Sequence, residues 1–318
     1  MNDESSPKLS PFAFPSETDI RFLLLVIAIT GAILILADGF IGGVLIRGSD
    51  SLSFIAATGT TLSIFGAARQ AARQDARRRI QDQQLKAFPP NHAAPLKAAS
   101  LGRMNRYIQQ IIERLPLVNA NTPEFLWDEV SEGSDRPTGI AFGYGRKKYV
   151  CLRNGLHEAF IQAAQSDRFN AVLMHELGHL ENQDVDKTIF SITLGRSFFR
   201  AALVLLVLFD IYLVWSTLDR MIAGDSLQPI RDGIPTILSI NVKSILLILL
   251  VEISRSSVLR VREYYADARA SAWLGQATPF LELFQARSSS KKTVKPAQHP
   301  QTSMTLIVIW SQLRQWFY

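Results

Sequence analysis

Met174-His175-Glu176-Leu177-Gly178-His179-Leu180 decides how the rest of this 318-residue chain is read. Two histidines four residues apart on a helix project from one face, one turn above the other. Both imidazoles can then reach a single zinc ion, and Glu176 between them can act as general base toward a zinc-bound water. Ala171-Val172-Leu173-Met174 and Leu177 are apolar, so one side of the helix is expected to be buried, a poor setting for two histidines with nothing to bind. Gly178 costs the helix about 1 kcal/mol relative to Ala. Its missing side chain is read as packing, leaving room for a strand or peptide. Ser166 or Asp167 caps the helix at its start, ahead of Phe169, Val172 and Leu173.

Working back from this helix, Leu156–Ala164 reads as a short helix. Gly139–Tyr144 and Lys147–Leu152, on either side of Gly145-Arg146, read as a hairpin, and Phe125–Val130 as a further strand. Leu101, Met104, Ile108, Ile111, Ile112 and Leu115 recur at helical spacing and predict a core-facing helix. The expected unit is an α+β zincin-like domain, with a small sheet packed on helices and the motif helix at its centre. Cys151, between Val150 and Leu152, reads as a buried strand residue rather than a nucleophile. As the single cysteine it excludes an intrachain disulfide and points to a reducing compartment.

Apolar residues make up 47% of the chain and charged residues 19%, and they are segregated into separate stretches. Phe22–Ala37 is free of charge and continues past Asp38 to Ile46, long enough to span a bilayer; it starts late and lacks the basic leader of a signal peptide. Leu52–Ala68 is a weaker span, with Ser53, Thr58, Thr60, Thr61 and Ser63, suited to a tight helical hairpin. Phe198–Leu218 and Ile234–Ile253 form a second hairpin, in which Asp210 and Lys243 are expected to pair. Arg69, Arg73, Arg77, Arg78, Arg79 and Lys86 follow the first hairpin, and Arg255, Arg260 and Arg262 the second. The net charge of +6 therefore reads as positive-inside patterning rather than a nucleic-acid surface. Both termini and the motif fall on the cytoplasmic side. The expected organisation is a disordered tail over 1–19, a transmembrane hairpin over 20–68, and a basic linker over 69–98. A catalytic domain over 99–195, a second hairpin over 196–254 and a C-terminal part over 255–318 follow. The fold class is thus a mainly α membrane protein of about four transmembrane helices. Asp210, Lys243 and Glu252 would have to line a transporter pathway, but two short hairpins around a polar domain make a poor pore.

A catalytic zinc needs a third protein ligand. Val185 stands where a metzincin places its third histidine. Asp184 and Asp186 are read as lying farther along the motif helix, pointing away from the metal, and Glu252 as lying inside a span. Glu263, in Arg262-Glu263-Tyr264-Tyr265-Ala266-Asp267, returns to the same membrane face through the second hairpin. Asp267, one helical turn on, can orient a ligand histidine. Tyr264, Tyr265 or a downstream Arg or His are candidates to stabilise the transition state.

The HELGH stretch with Asn182 and Asp184, two spans, and then Arg262-Glu263-x-x-Ala266-Asp267 resembles the HtpX-type membrane zinc metallopeptidases, distant relatives of the type I CAAX prenyl proteases. The resemblance runs from about residue 20 to 290, with paired N-terminal spans, a small sheet before the motif helix and Ala270–Leu283 as helices after the third ligand. It implies one zinc ion per chain held by His175, His179 and Glu263, with Glu176 as base and Asp267 as the matching aspartate. It also implies an endopeptidase of protein substrates in the inner membrane, serving membrane-protein quality control. His299-Pro300 matches a further family segment, but Gln301–Ile307 lacks the arginine that usually follows it. The rival expectation is a catalytically silent membrane scaffold that keeps its zinc site.

Overall fold

A computed structural model of the chain describes residues 17–40, 50–90, 95–115, 122–128, 138–162, 166–222, 228–276 and 278. The described part is mostly helical with one small mixed sheet. In chain order the elements are α1 (Glu17–Phe40), α2 (Asp50–Asp82), β1 (Lys86–Ala87), α3 (Pro95–Arg114), β2 (Glu124–Asp128), β3 (Gly139–Tyr144), β4 (Lys147–Arg153), α4 (Asn154–Ile161), α5 (Ser166–Glu181), α6 (Asp184–Ile222) and α7 (Gln228–Leu274). The sheet order is β1-β2-β4-β3. β3 and β4 form the expected antiparallel hairpin, with Gly139 opposite Leu152. β2 runs parallel to β4, and the two-residue β1 is antiparallel to β2. β1 falls within the stretch read as a basic linker; two residues are too few to leave a periodic signal. β3 is an edge strand, and that edge faces the motif helix.

One core fills the space between sheet and helices. Leu101, Met104 and Ile108 of α3, Trp127 of β2, Val150 and Leu152 of β4, and Phe169, Leu173 and Leu177 of α5 are almost completely buried in it. Each such side chain contributes roughly 1.5–3 kcal/mol by leaving water. Cys151 is buried in the same layer, and desolvation, then the charge of Asp128, pushes its thiol up to about 12. His157, which the motif does not use, is a packing histidine: it lies 2.8 Å from Ser100 Oγ and edge-on to Trp127, and burial, then Lys97, pulls its pKa down.

A second core joins Leu25, Ile29 and Ile33 of α1, Ile64 of α2, Leu194 and Phe198 of α6, and Val251 and Val258 of α7. Around it the outward faces stay apolar, with Leu24 and Ile27 on α1, Val204 and Ile211 on α6, and Leu246 and Leu249 on α7 exposed. A bundle standing in water would carry polar residues there. Among the described residues, three helices are long and apolar enough to cross a membrane, α1, α6 and α7. α2, which contains Leu52–Ala68, is not one of them.

The structure differs from the sequence reading in several places. α1 begins at Glu17, inside the stretch assigned to the tail, and is tied down there: the Glu17 N–H donates to the Tyr265 hydroxyl at 3.2 Å, and Asp19 pairs with Lys187. Asp210 is reached by the Asn241 amide at 3.1 Å and not by Lys243, because Asn241 stands where α7 faces Asp210. α6 runs through the expected boundary between catalytic domain and second hairpin at 195/196. α6 is one helix of 39 residues and α7 one of 47, with no Gly-Pro signal to stop either where it leaves the apolar layer. The expected strand residues Glu129 and Val130, the helix beyond residue 278 and the His299-Pro300 segment lie outside the described residues.

Candidate metal centre

α5 and α7 cross at Gly178. A methyl group there would stand 3.1 Å from the Ala266 carbonyl oxygen and 3.5 Å from Ala266 Cα, so glycine lets the two backbones meet. The close partner is a helix, not the strand or peptide the sequence suggested. This crossing fixes the site, because His175 and His179 flank Gly178 on α5 while Glu263 and Asp267 flank Ala266 on α7.

The three expected ligands converge. One donor atom from each of His175, His179 and Glu263 lies within 4.8 Å of the others. The two Nε2 atoms are 3.1 Å apart; Glu263 Oε2 is 3.5 Å from His175 Nε2, and Oε1 is 3.6 Å from His179 Nε2. Donors bound at 2.0–2.1 Å in a tetrahedron are spaced by about 3.4 Å, so the spacing of this set is close to what a zinc-sized ion asks for.

The outer nitrogen of each ring is also held. His175 Nδ1 lies 2.7 Å from Asp267 Oδ1, as the helical spacing of Glu263 and Asp267 suggested. His179 Nδ1 lies 3.1 Å and 3.3 Å from the two oxygens of Asp184. A carboxylate at Nδ1 leaves Nε2 as the atom that each imidazole directs toward the common centre. Asp184 is the residue sequence reasoning missed. The motif helix does not continue through it: Gln183 takes a positive φ of 56°, the chain turns, and Asp184 opens α6 beside His179, 1% exposed. Two aspartates ahead of a long apolar run are an N-terminal helix signature, and that signal was present in Asp184-Val185-Asp186. Asp186, two residues on in the same first turn, accepts from the Gly145 N–H at 3.0 Å and pairs with Lys148, fastening the β3–β4 turn to α6.

Electrostatically the site attracts a cation. Burial alone would lower the pKa of His175, but hydrogen bonds to Asp267 and Glu263 and the charge of Glu176 outweigh it and hold the imidazole up at about 10. Burial would likewise raise Glu263, but His175, His179 and Arg262 bring it down to about 2. Arg262 lies against the ligands, with Nε 3.0 Å from Glu263 Oε1 and a terminal nitrogen 3.2 Å from His179 Nε2. Of the two tyrosines proposed to stabilise a transition state, Tyr265 turns its hydroxyl to the start of α1, and Tyr264 is 64% exposed.

Glu176 points from the same face of α5 toward β3. Its Oε2 accepts the Ala141 N–H at 2.5 Å, and a methyl group on Gly139 would come within 3.0 Å of its Cγ. Ala141 N–H belongs to the free edge of the sheet, since its neighbours Ile140 and Phe142 face β4 in the alternating ladder. The carboxylate thus sits between the candidate metal ligands and the outer edge of β3, where it holds the Ala141 N–H. An HExxH helix, a carboxylate from a second helix and an adjacent edge strand form the working parts of a metal-dependent peptidase.

No curated protein and no solved structure matches the chain. The model of peptidase family M48 matches residues 103–300, which include β2, β3, β4, the motif helix, α6, α7 and all the site residues described above. The chain belongs to peptidase family M48, a family of metallopeptidases.

Proposed function

We propose that the protein is an HtpX-like, zinc-dependent endopeptidase of the plasma (inner) membrane. It spans the bilayer with α1, α2, α6 and α7, keeps both termini and its catalytic domain cytoplasmic, and cleaves protein substrates at the membrane surface in membrane-protein quality control. The observation that carries this reading is the spacing of His175, His179 and Glu263 beside Glu176 and the free edge of β3.

The two imidazoles and Glu263 hold the ion, which when bound supplies Lewis acidity for attack of water on a carbonyl. Asp267 and Asp184 keep both rings in the tautomer that presents Nε2. An extended substrate adds to β3 by main-chain hydrogen bonds, and the alternation of the strand leaves the Gly139 and Gly143 positions for that pairing, the Ala141 N–H being held by Glu176. A peptide laid there passes its scissile carbonyl across Glu176. The Glu176 carboxylate takes a proton from the attacking water and returns it to the departing amine nitrogen. Arg262 brings positive charge to the ligand side of the site. Some 10 residues of α7 separate Ile253, the end of its long apolar run, from Glu263, a rise of about 15 Å, so the site stands just clear of the bilayer.

Glu176→Gln tests the assignment. The variant should retain one zinc per chain and lose cleavage of an unfolded membrane protein. Cleavage that survives the substitution removes Glu176 from the mechanism. A wild-type protein that binds zinc yet cleaves nothing supports the silent-scaffold reading, and one that binds no zinc overturns the whole assignment.

A further inference from the structure

The bundle holds an open groove of about 620 Å³ on the face where α2 and α6 meet, away from the metal centre. Its walls are Gly59, Thr60, Ser63 and Ala67 of α2 with Ser197 and Arg200 of α6. The floor is unfilled because α2 presents small residues there: a methyl group added to Gly59 would touch nothing within 4 Å. The Ser63 hydroxyl donates to the Gly59 carbonyl of its own helix, so the wall asks for no polar partner. From Gly59 to Ala67 the groove runs about 12 Å, starting in the apolar half of α2 and ending at Arg69, where the basic run begins.

The charge at its mouth is one-sided. Arg255, Arg79 and Arg200 each lie close enough to act on Arg196 as like charges, and Asp75 is the nearby countercharge acting on it. Asp75 is engaged by Arg79 at 2.6 Å, and Glu252 by Arg255. Arg200 has no ion pair or hydrogen bond among the described residues. It lines a cavity just inside the level where the apolar runs of α2 and α6 give way to arginine. An uncompensated guanidinium at that depth calls for a phosphate, which it can meet with two parallel hydrogen bonds.

We infer that this groove binds one anionic phospholipid, with its phosphate at Arg200 and Arg196 and its glycerol and upper acyl chain along Gly59, Ser63 and Ala67. The inference rests on the reading of α2 and α6 as membrane helices but does not depend on the peptidase chemistry. A lipid seated there would join α2, which carries the weaker apolar run, to α6, whose first turn holds His179 through Asp184 and the β3–β4 turn through Asp186.

Native mass spectrometry of the purified full-length protein in detergent, offered equal amounts of dioleoyl phosphatidylglycerol and dioleoyl phosphatidylcholine, tests this. The wild type should retain one phosphatidylglycerol in preference to phosphatidylcholine. Arg200→Gln should lower that preference about fivefold, the worth of one basic residue at an anionic surface. Gly59→Leu, whose Cβ would meet nothing within 4 Å, should expel the lipid, and both variants should keep their zinc. Equal retention of the two lipids by the wild type, unchanged selectivity in Arg200→Gln, lipid still bound to Gly59→Leu, or a lipid-free dimer closed across this face would each overturn the inference. Alkaline extraction of membranes separates the two readings. A protein released by it refutes the membrane assignment itself, whereas an embedded protein without lipid preference refutes the groove alone.

Discussion

Replacing Asp184 by Asn probes a residue that no ligand motif includes. Asp184 is 1% exposed, its two oxygens lie 3.1 Å and 3.3 Å from His179 Nδ1, and it stands at the first position of α6. Asn keeps the shape and one carbonyl oxygen, so packing is preserved while the negative charge is lost. The imidazole then loses the partner that makes it a better donor to the metal, an effect typically worth 10- to 100-fold in affinity, or about 1.4–2.7 kcal/mol. Asp267→Asn should cost a similar factor through His175, to which it is bonded at 2.7 Å. Because the two aspartates serve different rings from different helices, the losses should multiply in the double variant to about 10²- to 10⁴-fold. Competition against a zinc chelator, with the full-length protein in detergent, measures all three. The metal-free melting temperature serves as the control for folding. Wild-type affinity in Asp184→Asn, with a loss in Asp267→Asn, would refute the idea that the first turn of α6 supports the metal.

Three further outcomes follow from the same geometry. Since His175 holds its proton up to about 10 while Glu263, near 2, has none to lose, zinc binding between pH 7 and 9 should release one proton from this pair and tighten about tenfold per pH unit; calorimetry in buffers of different ionisation enthalpy reads the proton, and a flat pH profile contradicts it. Gly139→Ala puts a methyl 3.0 Å from Glu176 Cγ, so it should lower kcat with zinc content unchanged; equal loss of both would mean that the strand supports the ligands instead. Cys151, 2% exposed with its thiol pushed up to about 12, should react with a thiol reagent only on unfolding, and rapid labelling of the native protein would contradict its place in β4.

The parts of the site that a regular helix encodes were legible in the sequence. His175, Glu176 and His179 share a face by spacing alone, and Glu263 and Asp267 repeat the same interval on α7. Their meeting was inferred from the spans between them. The contact itself depends on Gly178 against Ala266, an inter-helix approach that no one-dimensional pattern records. Asp184 was misread because Asn182-Gln183 contains neither glycine nor proline, and a positive φ at glutamine leaves no trace in composition. The Ala141 bond to Glu176 was hidden for another reason: the edge of a sheet is a property of strand order, and local alternation in β3 and β4 gives pairing but not which strand is outermost. Hydropathy picked out the three helices long and apolar enough to cross a membrane, whereas the continuation of α6 and α7 into the site was not found, because their charged turns look like loops beside an apolar run.

The central claim is that one metal ion is held jointly by α5 and α7. An anomalous-scattering experiment at the zinc edge, on crystals of the full-length protein grown with zinc, tests it most directly. A single peak is expected about 2.0–2.2 Å from the Nε2 atoms of His175 and His179 and from a carboxylate oxygen of Glu263, with Asp184 and Asp267 bonded to the rings behind them. A peak bound by Asp184 in place of Glu263, or ligated by α5 alone, would contradict it.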